Sequence, residues 1–399
     1  MKILYLCQKS PYPPKDGGAI GTSNVLMGLS EQGHLLNTIA INSPKHRVEI
    51  EDVPQDYREK TNLQLVDVNT NVNILKAFFN LFTKKSYNIA RFYNKKMEEE
   101  ISILLKNNQY DIVIVDSVFM KDYLTLLRTN TDAKIILRSP NIEYKIWERM
   151  AEYAPFFKKK YLKLLANRLK KEELLSSKLF DGMFTVTSVD KQYFVDNGMT
   201  KPIQVIPTGI DMLKKKKREK KDIENIDFFH IGSMDWMPNI EAVDFLLDEI
   251  WPKIQKEFPD TKLYIAGRNT SEELLQHKQE GVVVLGEVES AADFIENHSV
   301  MLVPLLSGCG QRVKVVEGMM MGKLIISTRL GVEGIDVEDG RNILLAESGD
   351  DFLLAVKKIM DNKELVNTIS KNAIAFADKN YNNKIIADKL ESFLISFIE

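Results

Sequence analysis

The sequence predicts a parallel α/β protein, built twice over in one chain of 399 residues. Three observations carry that expectation. Short runs rich in Val, Ile and Leu alternate with helical patterns along most of the length, and they lack the strict alternation of a half-exposed strand, as expected where both faces of a sheet are covered. The length, at roughly 100–200 residues per domain, favours two or three domains over one. The charge is also divided. Residues 1–221 hold 37 Lys/Arg against 25 Asp/Glu (+12) and residues 222–399 hold 17 against 31 (−14), which sum to the chain's −2. Such a split points to two bodies with different partners.

In the first body the candidate strands are 3–7, 37–41, 111–116, 134–138, 183–187 and 203–206, with helical stretches between them as crossovers. The run KKKKREKK at 214–221 is too charged for a core element and reads as a solvated linker, placed at 212–225. The second series of strands is 227–231, 262–266, 282–285, 301–304, 324–327 and 342–345. Domains are therefore expected at 1–211 and 226–375, with a last helical piece at 376–399.

Composition narrows the class. Hydrophobic residues at 44% and charged residues at 28% exclude wholesale disorder, collagen and a coiled-coil rod. No apolar run is long enough for a spanning helix. The start, MKILYLCQKSPYPP, reads as a strand and loop, without the charged lead and apolar stretch of a secretory signal. Cys7 and Cys309 lie far apart and make no metal-ligand spacing, so a reducing cytoplasm is expected. The basic first half suits nucleic acid, an anionic membrane or a phosphorylated substrate. Nucleic acid is disfavoured, because no aromatic-and-basic platform or recognition helix accompanies the lysines. Residues 145–178 hold ten Lys/Arg and four Asp/Glu, with Phe156 and Phe157 within the segment and Tyr161, Leu162, Leu164, Leu165 and Leu169 at rough helical spacing. The pattern fits a helix lying on anionic headgroups, or one packed on the sheet with a solvated basic face.

In parallel sheets ligands bind beyond the carboxyl ends of the strands. After the first strand comes Pro13-Pro14-Lys15-Asp16-Gly17-Gly18-Ala19-Ile20-Gly21. Consecutive glycines let backbone approach a ligand, and a following helix offers free N–H groups to phosphate. The stretch lacks the spacing of a dinucleotide site or a P-loop, and a simple turn reads as well. After 301–304 comes Ser307-Gly308-Cys309-Gly310-Gln311-Arg312-Val313-Lys314-Val315-Val316-Glu317. Small residues, then a helix start with Arg312 and Lys314 beside it, put fixed positive charge where a diphosphate would sit. Glu317, one to two turns on, can accept from a ribose diol. Gly232, Ser233 and Asp235 follow 227–231, Arg268 follows 262–266, and Gly286 and Val288 follow 282–285. Asn141 and Glu143 follow 134–138.

Read together, these residues resemble a known family. Ile206-Pro207-Thr208-Gly209-Ile210-Asp211 is similar to the I-P-N-G-V-D signature of family-4 glycosyltransferases of the glycosyltransferase-B fold. HIGSMDWMPN resembles one branch with G-x-M-D-W-x-P-N, GQRVKVVEGMMMGKLIIST resembles its G-x-R-x-K-x-x-E segment, and LRSPNIEYKIWERMA resembles its R-x-H-N-x-E-x-x-I-W-x-R. The similarity runs from the Gly17-Gly18 loop to about residue 375. It implies two Rossmann-like domains facing a cleft, with the second holding a UDP- or GDP-sugar and the first taking a glycan or lipid-diphosphate acceptor. The last helix would cross back to the first domain. It also implies a retaining transfer with no cofactor and no metal, at the cytoplasmic side of a membrane.

Arg312, Lys314, Glu143 and Asn141 are then the catalytic candidates. Gly17, Gly18, Gly232, Ser233, Asp235, Arg268, Gly286, Val288, Gly308, Cys309, Gly310 and Glu317 are the candidates for donor binding. The sequence departs from the pattern twice: Cys309 stands where the family commonly has the first glutamate of Glu-x7-Glu, and Pro140 stands in place of its histidine. Both motivate a second reading, a catalytically weakened nucleotide-sugar-binding relative. A nucleotide-sugar 2-epimerase is a third. It is disfavoured because none of the five histidines is expected after a strand of the first domain.

Overall fold

The computed structural model describes residues 1–152, 154–211, 226–308 and 310–399, with the backbone alone at Phe157. The expected linker at 212–225 and Cys309 lie outside the described residues. The chain divides into two compact units, Met1–Gly209 with Asn383–Glu399 (unit 1) and Ile210–Asn382 (unit 2).

Unit 1 contains strands β1 (Lys2–Cys7), β2 (Leu35–Asn42), β3 (Leu63–Asp67), β4 (Ile112–Asp116), β5 (Lys134–Ser139), β6 (Gly182–Thr185) and β7 (Ile203–Val205). They form one parallel sheet in the order β3-β2-β1-β4-β5-β6-β7. Alternate residues of the same strands enter different cores, which is why the runs read as continuous. Leu4, Leu6, Val113 and Val115 pack with Met97, Ile101 and Leu127 on one face. Ile3, Tyr5, Ile112 and Ile114 pack with Leu26, Leu29, Leu390 and Leu394 on the other. β3 was not expected. Its sequence, LQLVD, is short and mixed because it lies at the sheet edge and leaves Asp67 exposed.

Helix α1 (Gly17–Glu31) follows β1, and the Asp16 side chain caps it by accepting from Ala19 N. The basic segment at 145–178 is not one helix. It is split between α2 (Glu143–Glu152) and α3 (Phe156–Ser177), separated at Ala154 and Pro155, where the proline ring disfavours helical geometry in the residue before it. Leu162, Leu165, Ala166, Leu169 and Glu173 fall on one buried stripe of α3. Leu162, Leu165 and Leu169 therefore serve internal packing, while Phe156, Leu164 and Leu175 stay exposed among the charged residues of the outer face. Helix α4 (Ser188–Asp196) follows β6.

Unit 2 contains β8 (Phe228–Ile231), β9 (Leu263–Ala266), β10 (Val282–Gly286), β11 (Val300–Val303), β12 (Leu324–Ser327) and β13 (Leu344–Leu345). They form a second parallel sheet, in the order β10-β9-β8-β11-β12-β13. Phe228, Leu263, Ile265, Val300, Leu302, Leu324 and Ile326 meet Trp251, Phe352 and Ile369 in its core. Helices α5 (Met237–Phe245) and α6 (Val313–Met320) follow β8 and β11, and α7 (Lys363–Tyr381) completes the unit. The division falls at Asn383, later than the expected 376, because α7 belongs to unit 2. Helix α8 (Asn383–Ile395) belongs to unit 1, where Ala387 abuts Gly28 of α1 and Phe397 covers Gly182 of β6.

Leu390 of α8 is fully enclosed in the unit 1 core, whereas Ile385 on the same helix faces water. Leu390→Ala is expected to cost about 2–5 kcal/mol in urea unfolding. Ile385→Ala should stay within about 0.5 kcal/mol. Equal losses would show that α8 is not part of the unit 1 core.

Candidate functional site

In unit 2 the loops after β8 and β9 and the end of β10 close on one another. Gly232 N donates to Ala266 O at 3.0 Å, Gly267 N to Gly286 O at 2.8 Å and Met234 N to Arg268 O at 2.8 Å. The approach is close: a Cβ on Gly267 would stand 1.8 Å from Gly232 O, so only glycine fits. Asn239, near the start of α5, donates from Nδ2 to Ser233 O at 2.9 Å. Ser233 Oγ donates to Asp235 Oδ1 at 2.6 Å.

The start of α6 joins this frame. Lys314 Nζ donates to Ile231 O at 2.9 Å and to Asn239 Oδ1 at 3.0 Å, so its ammonium turns inward to the carboxyl end of β8. Burial, with the like charge of Arg312 added, pulls Lys314 down to about 7. Arg312 Nη1 donates to Gly310 O at 2.7 Å, and Gly308 at φ +117° gives the guanidinium room: a Cβ there would meet Arg312 Nη2 at 2.8 Å. No acidic residue sits in the first turn of α6. The structure thus brings Gly232, Ser233, Gly308, Gly310, Arg312 and Lys314 together, and Arg268 joins through its backbone. Asp235 is held through Ser233, and Gly286 through Gly267. Glu317 is half-buried in the second turn of α6. Val288 lies beyond the end of β10, outside this hydrogen-bonded set.

Three unit 2 residues escaped the sequence reading. Asn239 bridges the β8 loop and Lys314. His230 on β8 is fully buried, its Nδ1 2.9 Å from Leu302 O, and burial beside Lys314 pulls it down to about 3, which keeps the ring neutral. Glu241 of α5 accepts from Ser307 Oγ at 2.5 Å, which brings a carboxylate to the glycine loop from a different element. The signal for Asn239 was present in the M-P-N of the β8 loop. The other two pairings join residues more than 60 positions apart.

Unit 1 gathers a different chemistry at its strand ends. Gly17 and Gly18 open α1, with the Asp16 carboxylate at the helix mouth and Lys9 Nζ bonded to it at 2.6 and 2.8 Å. Burial raises Asp16, but Lys9 and the Ala19 amide outweigh it and hold it below the usual carboxylate range. Asp116 at the end of β4 pairs with Arg138 of β5 at 2.8 Å, both buried, and accepts from Thr22 Oγ1 at 2.6 Å. Gly21 makes room for this pair, since a Cβ there would stand 2.4 Å from Arg138 Nη2.

Glu143 opens α2 and is buried. Its backbone N–H and that of Tyr144 donate to the Glu173 carboxyl of α3 at 2.9 and 3.3 Å. Burial pushes Glu143 up to about 7, against a hydrogen bond from Asn141 and the charge of Lys9, with Asp116 and Asp190 adding to the rise. Burial pushes Glu173 up to about 8, and Glu143 adds to it. Asn141 and Glu143 are thus hydrogen-bonded neighbours after β5. One expectation is corrected. His46 does follow a strand of this unit, β2, and its charge bears on Asp16.

Comparison with known proteins gives these features a context. Residues 225–362 match the family model of group 1 glycosyl transferases. The chain is 25% identical over 96% of its length, and 97% of the relative's, to an uncharacterized 44.6 kDa protein in the cps region of Klebsiella pneumoniae. It is 23% identical over 93% of its length, and 96% of the relative's, to an uncharacterized glycosyltransferase of Haemophilus influenzae. Anabaena Alr3699/HepE, solved in complex with UDP-glucose, superposes with a TM-score of 0.67 at 13% identity, covering 99% of this chain and 100% of that one. The two parallel-sheet, Rossmann-like units are those of the glycosyltransferase-B fold.

The Glu143–Glu173 pair sets a pH dependence. Both carboxyls keep their protons in the folded unit at pH values where an unfolded chain, titrating near 4.5, has released them. The stability they contribute is complete below that value and is lost as pH rises through about 7 to 8. The urea midpoint should therefore fall between about pH 5 and pH 8, and Glu173→Gln, which keeps an acceptor for both amides, should flatten the fall. An unchanged slope in the variant would contradict the assignment.

Proposed function

We propose that the chain is a retaining glycosyltransferase of the family-4 kind, moving a sugar from a UDP- or GDP-sugar to a glycan or lipid-linked acceptor in cell-surface polysaccharide synthesis. The observation that carries the reading is the pair Arg312 and Lys314 at the opening of α6. It is set beside two close-approach glycines and lies within the segment that matches the group 1 glycosyl transferase model. The UDP-glucose held by a protein of this fold supports the donor class, and the cps-region relative supports the pathway.

In the proposed reaction the acceptor hydroxyl oxygen bonds to the anomeric carbon on the face from which the diphosphate leaves. The bond to the diphosphate oxygen breaks, and the hydroxyl proton passes to that oxygen. The negative charge that grows on the leaving group falls to Arg312, Lys314, Arg268 and the backbone N–H groups at Gly310 and the start of α6. Glu317 holds the ribose, while Gly232, Ser233 and Asp235 shape the donor pocket. In unit 1, Asn141 and Glu143 orient the acceptor, with the Gly17-Gly18 turn beside them in the same unit. No metal takes part, and turnover should survive excess chelator. Pro140, in the place of the family's histidine, favours one second reading: a relative that binds the nucleotide sugar and transfers it slowly or not at all.

Arg312→Ala and Lys314→Ala should each lower turnover on a proven donor by about 10²–10³. Full turnover in both variants would remove the diphosphate from this site. Binding also carries a proton signature. Lys314 is half-neutral near pH 7 when free, and a diphosphate beside it favours the charged form. UDP or GDP binding above pH 7 should therefore take up a proton, and affinity should fall as pH rises. Calorimetry in buffers of different ionisation enthalpy measures the uptake, and Lys314→Met should abolish it. Uptake that persists in the variant would assign the proton elsewhere.

A further inference from the structure

Residues 72–82 of unit 1 present apolar side chains to water at a density unmatched among the described residues. Ile74 is 82% exposed, Leu75 69%, Phe78 54%, Phe79 67% and Phe82 78%. At roughly 200 Å² for a whole aromatic side chain, the three phenylalanines alone leave on the order of 400 Å² in water. That already lies within the range of about 300–600 Å² for the largest apolar patch of an ordinary monomer, and Ile74 and Leu75 add to it.

The positions 74, 75, 78, 79 and 82 fall on one side of a helical turn. The short helix Ile74–Asn80 is thus amphipathic in reverse, with its apolar side outward. Its inner side is small and polar: Ala77 rests on the cluster of Tyr87, Leu162 and Leu165. Both ends are clamped. Asn73 exchanges backbone hydrogen bonds with the Tyr87 hydroxyl, and Arg168 of α3 donates to Asn80 O and Leu81 O, each at 2.9 Å. The Phe78 ring meets Phe79 and Phe82 edge-on at 5.9 and 5.6 Å. The face is held out by fixed contacts on the far side of its backbone.

The charges of its own stretch of chain have one sign, and Glu172 of α3, which accepts from Ser86 N, is paired with Lys121. From residue 68 to residue 97 the sequence carries no Asp or Glu but holds Lys76, Lys84, Lys85, Arg91, Lys95 and Lys96, and all five lysines are exposed. Bulky apolar side chains within a segment whose own charges are all basic match the layering of an anionic bilayer surface, with acyl chains beneath negative headgroups.

We propose that the apolar face of residues 74–82, bordered by Lys76, Lys84 and Lys85, inserts into the surface of a membrane containing anionic phospholipid. This face is separate from the expected contact at 145–178, where Leu162, Leu165 and Leu169 pack inward and Phe156, Leu164 and Leu175 stay exposed. The proposal extends the reading of a lipid-linked acceptor but stands on this surface alone, so its test needs no turnover.

The full chain is floated with vesicles of phosphatidylglycerol and phosphatidylcholine, and with vesicles of phosphatidylcholine alone. It should partition to the anionic vesicles, and less so at high salt. Phe79→Glu/Phe82→Glu, with an unchanged melting temperature, should lower the partition coefficient by about tenfold or more. Lys84→Glu/Lys85→Glu should lower it on anionic vesicles only. Phe79→Trp should show blue-shifted emission with vesicles and quenching by brominated acyl chains. Wild-type protein that stays with the buffer, or a glutamate variant that floats as well as wild type, overturns the proposal. So does a dimer in light scattering that the glutamate variant dissolves while vesicles bind neither protein.

Discussion

A buried ammonium group bonded to two neutral oxygens sets the terms for unit 2. Lys314 gives its hydrogen bonds to a backbone carbonyl and an amide oxygen, with the like charge of Arg312 nearby. Taking an ammonium out of water is expensive unless an opposite charge compensates it, so this arrangement is at its most favourable with an anion beside it. The rest of the frame follows from that requirement. Gly267 and Gly232 bring two loops to a separation no side chain tolerates, Asn239 ties the β8 loop to Lys314, and Gly308 admits the Arg312 guanidinium. Of the glycines that drew attention in the sequence, Gly308 is the space the Arg312 guanidinium needs, and Gly232 is the space that Asn239 needs.

Unit 1 solves the opposite problem. Its acids at the strand ends are matched or neutralised: buried Asp116 by Arg138 and Thr22, half-buried Asp16 by Lys9, and buried Glu143 and Glu173 by keeping their protons. The interior character of each unit therefore runs against its overall charge. Residues 1–221 are basic in sum but gather carboxyl groups at the strand ends, while residues 222–399 are acidic in sum but gather cations there. Net charge describes the surface and what it meets at long range, and the site chemistry has to be read residue by residue.

Much of the fold was legible because strands covered on both faces write themselves as unbroken apolar runs, and 12 of the 13 strands among the described residues were visible in that way. β3 was not, being interrupted by Gln64 and ending on the exposed Asp67. In the site, the residues that could be read were close in sequence: Gly308, Gly310, Arg312 and Lys314 share one loop and helix start, and Asn141 and Glu143 share another. Gly232, Ser233 and Arg268 could also be read, since each follows a strand of unit 2, but the side-chain pairings made across elements could not. Thr22, Asp116 and Arg138 meet across strand ends, and Glu173 reaches Glu143 from a helix 30 residues away. The apolar face at 74–82 was not read from the sequence at all, because hydrophobic spacing fixes a helix face without fixing which way that face points.

The most direct measurement is a structure of the protein with bound UDP or GDP. The account predicts diphosphate oxygens within hydrogen-bond distance of Arg312 and Lys314 at the opening of α6, with the ribose hydroxyls at Glu317. A nucleotide bound elsewhere in the chain, with both side chains as they stand here, would contradict it.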